Sequence, residues 1–82
     1  MTKEKPTSLT LQLGAKVAKL RRSKELTQRQ LEELAGFHQG YISRVEHGLI
    51  QPEFETLAAI AKVFEITLSR LVSGIEEDDS GK

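Results

Sequence analysis

The segment from Leu26 to Gly48 constrains the fold of this chain more than any other. Thr27 stands where a helix N-cap is expected, and Gln30 follows it at the spacing of a capping box. Gly36 then suits the left-handed conformation that ends many helices. The segment therefore predicts two short helices that meet at a glycine turn.

Apolar residues recur at helical spacing on both sides of this segment, and no stretch has the alternation of a strand. We predict an all-α domain of five helices, over about 9–23, 28–35, 38–47 and 53–64, with a short fifth helix capped by Thr67. The domain is expected over 9–74, between a flexible N-terminal arm (1–8) and a disordered acidic tail (75–82). A four-helix up-down bundle does not fit, because the second helix and its turn are too short.

The composition limits the remaining choices. Eighty-two residues make one small domain of marginal stability, and the absence of cysteine excludes disulfides and thiolate metal sites. No apolar run approaches the roughly 20 residues of a membrane-spanning helix, and the first eight residues lack the apolar core of a signal peptide. We therefore expect a cytoplasmic protein that does not interact with a membrane.

The net charge is zero, but the charges are unevenly distributed. Residues 1–51 hold nine basic and five acidic side chains, whereas residues 52–82 hold three and seven. Phosphate groups respond to the local field, so the basic half could serve as a footprint on nucleic acid. On charge alone, two solvated faces of opposite sign are an equally good interpretation.

No group of residues predicts catalysis, a metal, a cofactor or a small-molecule ligand. His38 and His47 match no zinc spacing, and Ser43 has no evident base. No glycine loop of a phosphate-binding motif is present. We predict that the protein is not an enzyme.

The predicted helix over 38–47 can instead present donors outward while Ile42 and Val45 face inward. Gln39, Ser43 and Arg44 are spaced to lie near one outward face of it. Glutamine pairs bidentately with adenine, arginine pairs with guanine, and serine can donate to either base or phosphate. A helical hairpin with a polar solvent face remains the alternative from spacing alone.

The combined motif resembles the lambdoid-repressor (Cro/C1, or XRE-like) helix-turn-helix family. The residues that carry the resemblance read Leu-Thr-Gln-x-x-Leu, Ala-Gly-Phe, Tyr-Ile-Ser-Arg-Val-Glu-x-Gly, Pro and Glu-Thr-Leu in chain order, within about residues 13–72. The resemblance implies a five-helix fold and a transcriptional regulator that binds double-stranded palindromic DNA through the major groove as a homodimer. Helices 4 and 5, with Leu68 and Ile75, are the expected dimer surface.

The resemblance also implies roles for single residues. The base-facing positions are Gln39, Gly40, Ser43 and Arg44. Gln28 is expected to contact phosphate, and we add Arg29, Tyr41 and Lys16 as further phosphate contacts. Arg21 and Glu46 are expected to form a structural ion pair that fixes the angle between two helices.

The chain departs from the family pattern at several positions. Glu25 and Glu65 replace glycines, so each helix either adopts an unfavourable positive φ there or ends differently. Glu32 replaces a small residue, and we expect its side chain to lean toward solvent. His38 replaces a Ser or Thr cap, which predicts a poorly capped recognition helix.

Leu49 and Ile50 are apolar in a loop that is often basic in the family, which predicts a contact with the core or with a partner. This loop and the acidic tail slightly favour a second hypothesis. In it, the chain is a protein-interaction module, such as an antitoxin or adaptor, that uses the same fold.

Overall fold

The computed structural model describes residues 5–76, and in this range the chain forms five α-helices and no strand. The helices are α1 (Ser8–Ser23), α2 (Gln28–Ala35), α3 (Tyr41–Glu46), α4 (Phe54–Phe64) and α5 (Leu68–Val72). The predicted all-α class with five helices is confirmed. Within 5–76, no helix combines the length and the apolar character needed to cross a membrane.

The first helix begins slightly earlier than the sequence indicated. Thr7 is its N-cap, and Thr7 and Thr10 form a reciprocal capping box. Thr7 Oγ1 accepts the Thr10 N–H at 3.1 Å, and Thr10 Oγ1 accepts the Thr7 N–H at 2.8 Å. Part of the predicted arm (1–8) thus belongs to the helix and its cap, while residues 1–4 lie outside the described range.

The predicted capping box of α2 is confirmed, with Thr27 and Gln30 bonded in both directions. Two other helices end without glycine. Glu25, just after α1, has a φ of 59°, and Glu65, after α4, has a φ of 60°. These residues therefore adopt the positive φ that a side chain disfavours, by about 1 kcal/mol or more each.

A single core lies where the helices meet. Its fully buried large side chains are Phe64, Leu31, Ile42, Ile60, Leu71, Val17 and Val45. Ile50, in the loop after α3, packs against this core. This is the first of the two contacts predicted for the loop, with the core or with a partner. Phe54, the first residue of α4, is 73% exposed although its side chain is apolar.

The recognition helix is shorter than predicted. It starts at Tyr41, so the predicted start at about 38 is wrong. Gly40 has a φ of 91° and acts as the N-cap, and the Tyr41 N–H donates to the His38 carbonyl at 3.3 Å. Because Gly40 adopts this left-handed conformation, His38 and Gln39 form a turn instead of a first helical turn.

The residues that follow α5, up to Glu76, contact the rest of the domain. Gln12 accepts the Glu76 N–H at 3.1 Å and donates to the Glu76 carbonyl at 2.7 Å. Ile75 packs against the core. Positions 75 and 76 of the predicted tail thus contact the domain, and positions 77–82 lie outside the described residues.

Backbone contact between α1 and α3 depends on Gly14. A Cβ atom at this position would lie 2.5 Å from the Val45 carbonyl oxygen and 2.6 Å from that of Glu46. Both neighbours are main-chain atoms, which have little freedom to move aside. The end of α3 can approach α1 this closely only because residue 14 has no side chain.

We expect Gly14→Ala to destabilise the fold by about 1–3 kcal/mol, as overpacking does, although alanine favours helix over glycine by about 1 kcal/mol. Urea unfolding followed by circular dichroism measures the change. The control is Ala15→Gly, an exposed position on the same helix, where only the loss of helix propensity applies. A more stable Gly14→Ala protein would contradict the close approach.

Candidate nucleic-acid interface

Arg21 and Glu46 join the end of α1 to the end of α3. Arg21 donates to both carboxylate oxygens of Glu46, from Nε at 2.7 Å and from an Nη at 3.1 Å. Its other Nη donates to the Leu26 carbonyl at 2.8 Å. The two side chains are only 12% and 7% exposed, so the structure places the expected partners in a largely buried bidentate pair.

Gln28 extends this pair into a three-residue network. It is the first residue of α2, and its Nε2 donates to Glu46 Oε1 at 2.9 Å. Hydrogen bonding to Glu46 raises the pKa of Arg21 above its usual range, the Coulombic attraction adds to this, and burial opposes it. The network joins the end of α1, the start of α2 and the end of α3 to one another.

An open groove of about 380 Å³ lies over this network. Its lining comprises Ala15, Ala18, Arg21, Arg22, Gln28, Glu46 and His47. It combines the first residue of α2 with two arginines, and the N–H groups at a helix N-terminus favour an anion. These features favour an anion such as a phosphate group.

The turn between α2 and α3 is closed by Glu32. Its side chain is buried, with the residue only 3% exposed, and Oε2 accepts the N–H groups of Gly40 at 3.0 Å and Ile42 at 3.1 Å. The prediction that Glu32 leans toward solvent is wrong. The reason is that Gly40 offers α3 no side-chain cap, so these N–H groups at its start are satisfied from α2.

The four expected base-facing residues lie around the start of α3. Gln39 is exposed in the turn, Gly40 is the half-buried N-cap, and Ser43 and Arg44 are on the helix, half-buried and exposed respectively. The spacing predicts that Gln39 shares a helix with Ser43 and Arg44. In the structure it does not, because α3 begins only at Tyr41. At Gly40, a Cβ atom would meet nothing within 4 Å, so this position presents open space.

The further phosphate candidates have different surroundings. Arg29 is exposed and its Nε lies 3.3 Å from a Glu33 carboxylate oxygen. Tyr41 is half-buried, with its ring centroid 5.0 Å from that of Phe37 and 5.4 Å from that of His38. His38 thus packs against Tyr41 and does not cap α3.

Lys16 is occupied elsewhere. Its Nζ donates to the carbonyls of Arg70 at 2.9 Å and Ser73 at 2.7 Å, and to Ser73 Oγ at 3.0 Å. An ammonium has three donors, so this residue caps the C-terminal end of α5 with all of them. Lys16 would have to leave these acceptors to contact a phosphate.

The sequence did not predict several of these contacts, among them those made by Glu32 and His47. The cap supplied by Glu32 had one visible signal, a chain with no Ser, Thr, Asp or Asn from 37 to 40 to cap the next helix. His47 Nδ1 lies 2.7 Å from the Ser43 carbonyl and 3.5 Å from Ser43 Oγ, a contact that only the helical spacing hints at. Among residues 5–76, no cluster of three potential ligands could hold a metal ion.

Comparison with known proteins agrees with this geometry. The chain belongs to the helix-turn-helix family HTH_3, whose model matches residues 17–71, and it is of the Cro/C1 (XRE) type. It is 36% identical over 69 residues to the HTH-type transcriptional regulator y4dJ of Sinorhizobium fredii, covering 84% of this chain and 90% of that one. It is also 38% identical over 66 residues to the activator BcrR of Enterococcus faecalis, covering 80% of this chain but only 32% of BcrR.

Solved structures give the same result. The restriction-modification controller protein C.AhdI from Aeromonas hydrophila superposes with a TM-score of 0.73 at 26% identity, over 76% of this chain and 94% of that one. The clp gene regulator ClgR from Corynebacterium glutamicum also has a TM-score of 0.73, at 28% identity, over 77% and 67%. The protein is thus a transcriptional regulator with a DNA-binding helix-turn-helix fold.

Loss of one partner from the buried ion pair should be costly. We expect Arg21→Ala to lower the free energy of unfolding by about 3–5 kcal/mol, because it leaves the Glu46 carboxylate buried without its cation. The control is Arg29→Ala, whose 62% exposed side chain pairs with Glu33 on the surface and should contribute less than about 1 kcal/mol. Equal effects of the two substitutions in urea unfolding would contradict the buried pair.

Proposed function

We propose that the chain binds a palindromic operator as a homodimer, with α3 of each subunit in the major groove. The observation that carries this proposal is the fixation of α3 at both ends, by Glu32 at its start and by the Arg21–Glu46 pair at its end. A short helix held in this way can present polar residues in a constant orientation. In such dimers the two half-sites lie about 10 base pairs apart or a multiple of that.

Base reading would rest on three side chains. Gln39 suits adenine, Arg44 suits guanine, and Ser43 can bond to either a base or a phosphate. Gly40 contributes no side chain between them, which reduces the number of bases that the helix and its turn can contact directly. With so few contacts, the discrimination between operators would depend strongly on each one.

Phosphate contacts would position α3. Gln28 and the start of α2 line the groove over the ion-pair network, and Gln28 already shares Glu46 with Arg21. A phosphate bound there would be linked directly to the angle between α1 and α3. Arg29 and Tyr41 would hold neighbouring phosphates, whereas Lys16 could join only by releasing the end of α5.

The dimer would form through α4 and α5. Phe54 at the start of α4 is 73% exposed, and an apolar groove of about 270 Å³ lies beside this region. Residues that line it include Leu9, Leu13, Pro52, Leu57, Val72 and Ile75. Pro52 and Leu57 of the groove lining flank Phe54 in the sequence, and a two-fold axis could place each Phe54 against the partner's groove. Of the residues first expected at the interface, Ile75 lines this groove and Leu68 packs against the core.

A protein-interaction module remains the second candidate, and one observation favours it. Leu34 on α2 is 63% exposed beside Ala59 and Val63 of α4. An exposed apolar patch of this kind can mark a protein interface. We prefer the DNA-binding regulator, which would act in the cytoplasm, and we assign the chain no catalytic activity.

Selection of bound DNA from a random library tests the proposal. The expected result is a palindromic site whose affinity falls as salt rises, because binding releases counterions. The absence of DNA affinity at low salt, together with tight binding to a protein partner, would instead support the interaction module.

Arg44→Ala is expected to weaken binding to the selected operator by about 1–3 kcal/mol and to relax the preference at one base pair. Fluorescence anisotropy with single-base variants of the operator measures both effects. The control is Arg22→Ala, whose side chain lines the phosphate groove and should weaken binding to all sequences alike. If the Arg44→Ala protein keeps the same base preference, Arg44 does not contact a base.

Phe54→Ser should raise the dimer dissociation constant by about tenfold or more, as truncation of an aromatic interface anchor does. Sedimentation equilibrium measures the constant, and circular dichroism verifies that the domain stays folded. Leu34→Ser is the matched control, since it removes another exposed apolar side chain on a different groove. If Leu34→Ser dissociates the dimer and Phe54→Ser does not, the interface lies elsewhere.

A further inference from the structure

Glu32 holds both ends of the turn that joins α2 to α3. Its main-chain carbonyl accepts the N–H groups of Gly36 and Phe37, each at 2.9 Å. Its carboxylate Oε2 accepts the N–H groups of Gly40 and Ile42 at 3.0 and 3.1 Å. One residue therefore ends the first helix of the motif and starts the second.

The recognition helix depends on this carboxylate because it has no cap of its own. The N-cap residues Thr7, Thr27 and Thr67 are extended and accept an N–H through their side chains. Gly40, by contrast, has no side chain and is left-handed, with a φ of 91°. The first N–H groups of a helix lack partners within it, and hydrogen bonds from such groups to a carboxylate are stronger than those to a neutral oxygen.

Gln39 lies directly before the bonded N–H of Gly40, in the turn outside α3. A glycine has wide conformational freedom, so an unbonded Gly40 would let this turn change its direction. Ser43 and Arg44, by contrast, are on the helix itself, which Ile42 and Val45 anchor in the core. The placement of Gln39 relative to Ser43 and Arg44 is therefore the property most sensitive to the carboxylate.

We propose that Glu32 is a positioning residue for DNA recognition: its buried carboxylate fixes the turn from His38 to Gly40 and so places Gln39 against the same operator half-site as α3. This inference rests on the proposed base-reading function of these residues. Glu32 does not touch DNA in this role. It acts through two main-chain N–H groups.

The test compares Glu32→Ala and Glu32→Gln with Glu33→Gln. Glu33 is the matched control because it is the next residue of the same helix, loses the same charge, and has a side chain that is 66% exposed. We expect Glu32→Ala to weaken operator binding about tenfold, the effect of losing hydrogen bonds to a charged group, while non-specific affinity stays unchanged. Glu32→Gln should lose less, because its amide oxygen can still accept, and Glu33→Gln should keep the ratio of specific to non-specific affinity.

A double-mutant cycle separates positioning from general destabilisation. The base preference that is lost in Gln39→Ala should also be lost in Glu32→Ala. The double variant should then bind the operator only slightly more weakly than either single variant. Glu32→Gln replaces Glu32→Ala in this cycle if circular dichroism shows the alanine variant unfolded. Amide hydrogen exchange at Gly40 and Ile42 should become faster in the Glu32 variants and stay the same in Glu33→Gln.

Three results would overturn the inference. Additive losses from Glu32 and Gln39, or an equal loss of specific and non-specific affinity, would show that Glu32 does not position the reading turn while leaving the proposed regulator intact. A wild-type chain that selects no DNA would overturn the proposed function and this inference together.

Discussion

The buried pair of Arg21 and Glu46 is the interaction on which the rest of the interface depends. Its atoms join α1 to the last residue of α3, and Gln28 brings in the first residue of α2. The backbones can meet there only because Gly14 leaves room for the Val45 and Glu46 carbonyls. Forming a largely buried ion pair costs free energy because both charges lose water, and removing only one partner costs more because it leaves the other charge buried alone. It therefore favours one helix angle over the alternatives more than it adds to stability.

The two ends of α3 are held by acidic residues with different partners. Glu46 at its end accepts from a guanidinium, and Glu32 before its start accepts from backbone N–H groups. A six-residue helix has few internal hydrogen bonds, so its stability comes from tertiary contacts. The orientation of the proposed base-reading residues is consequently determined by other residues, Glu32 and Glu46. Substitutions in α1 or α2 could thus alter operator preference without changing any base-contacting side chain.

The sequence predicted those parts of the fold that follow from local chemistry. The Thr27–Gln30 capping box, the left-handed Gly36 and the apolar spacing of Ile42 and Val45 each depend on neighbours a few residues away, and the structure has all three. The error at Glu32 involves long-range contacts. Glu32 was expected in solvent because spacing does not reveal an acceptor for N–H groups eight and ten residues further on. The sequence likewise does not show that α5 ends beside Lys16, whose phosphate contact stays a prediction.

The zero net charge of the chain makes these long-range contacts more important for the proposed DNA binding. The chain carries no net charge, so its sequence-independent attraction to DNA is weak compared with that of a strongly basic domain. A regulator of this kind would gain little from non-specific binding and would depend on well-placed polar contacts. Precise placement is what the buried carboxylates of Glu32 and Glu46 supply, since each fixes main-chain or guanidinium donors at distances near 3 Å. Glu46 is paired with a guanidinium and Glu32 with two main-chain N–H groups, so neither carboxylate stands without donors near the proposed phosphate contacts.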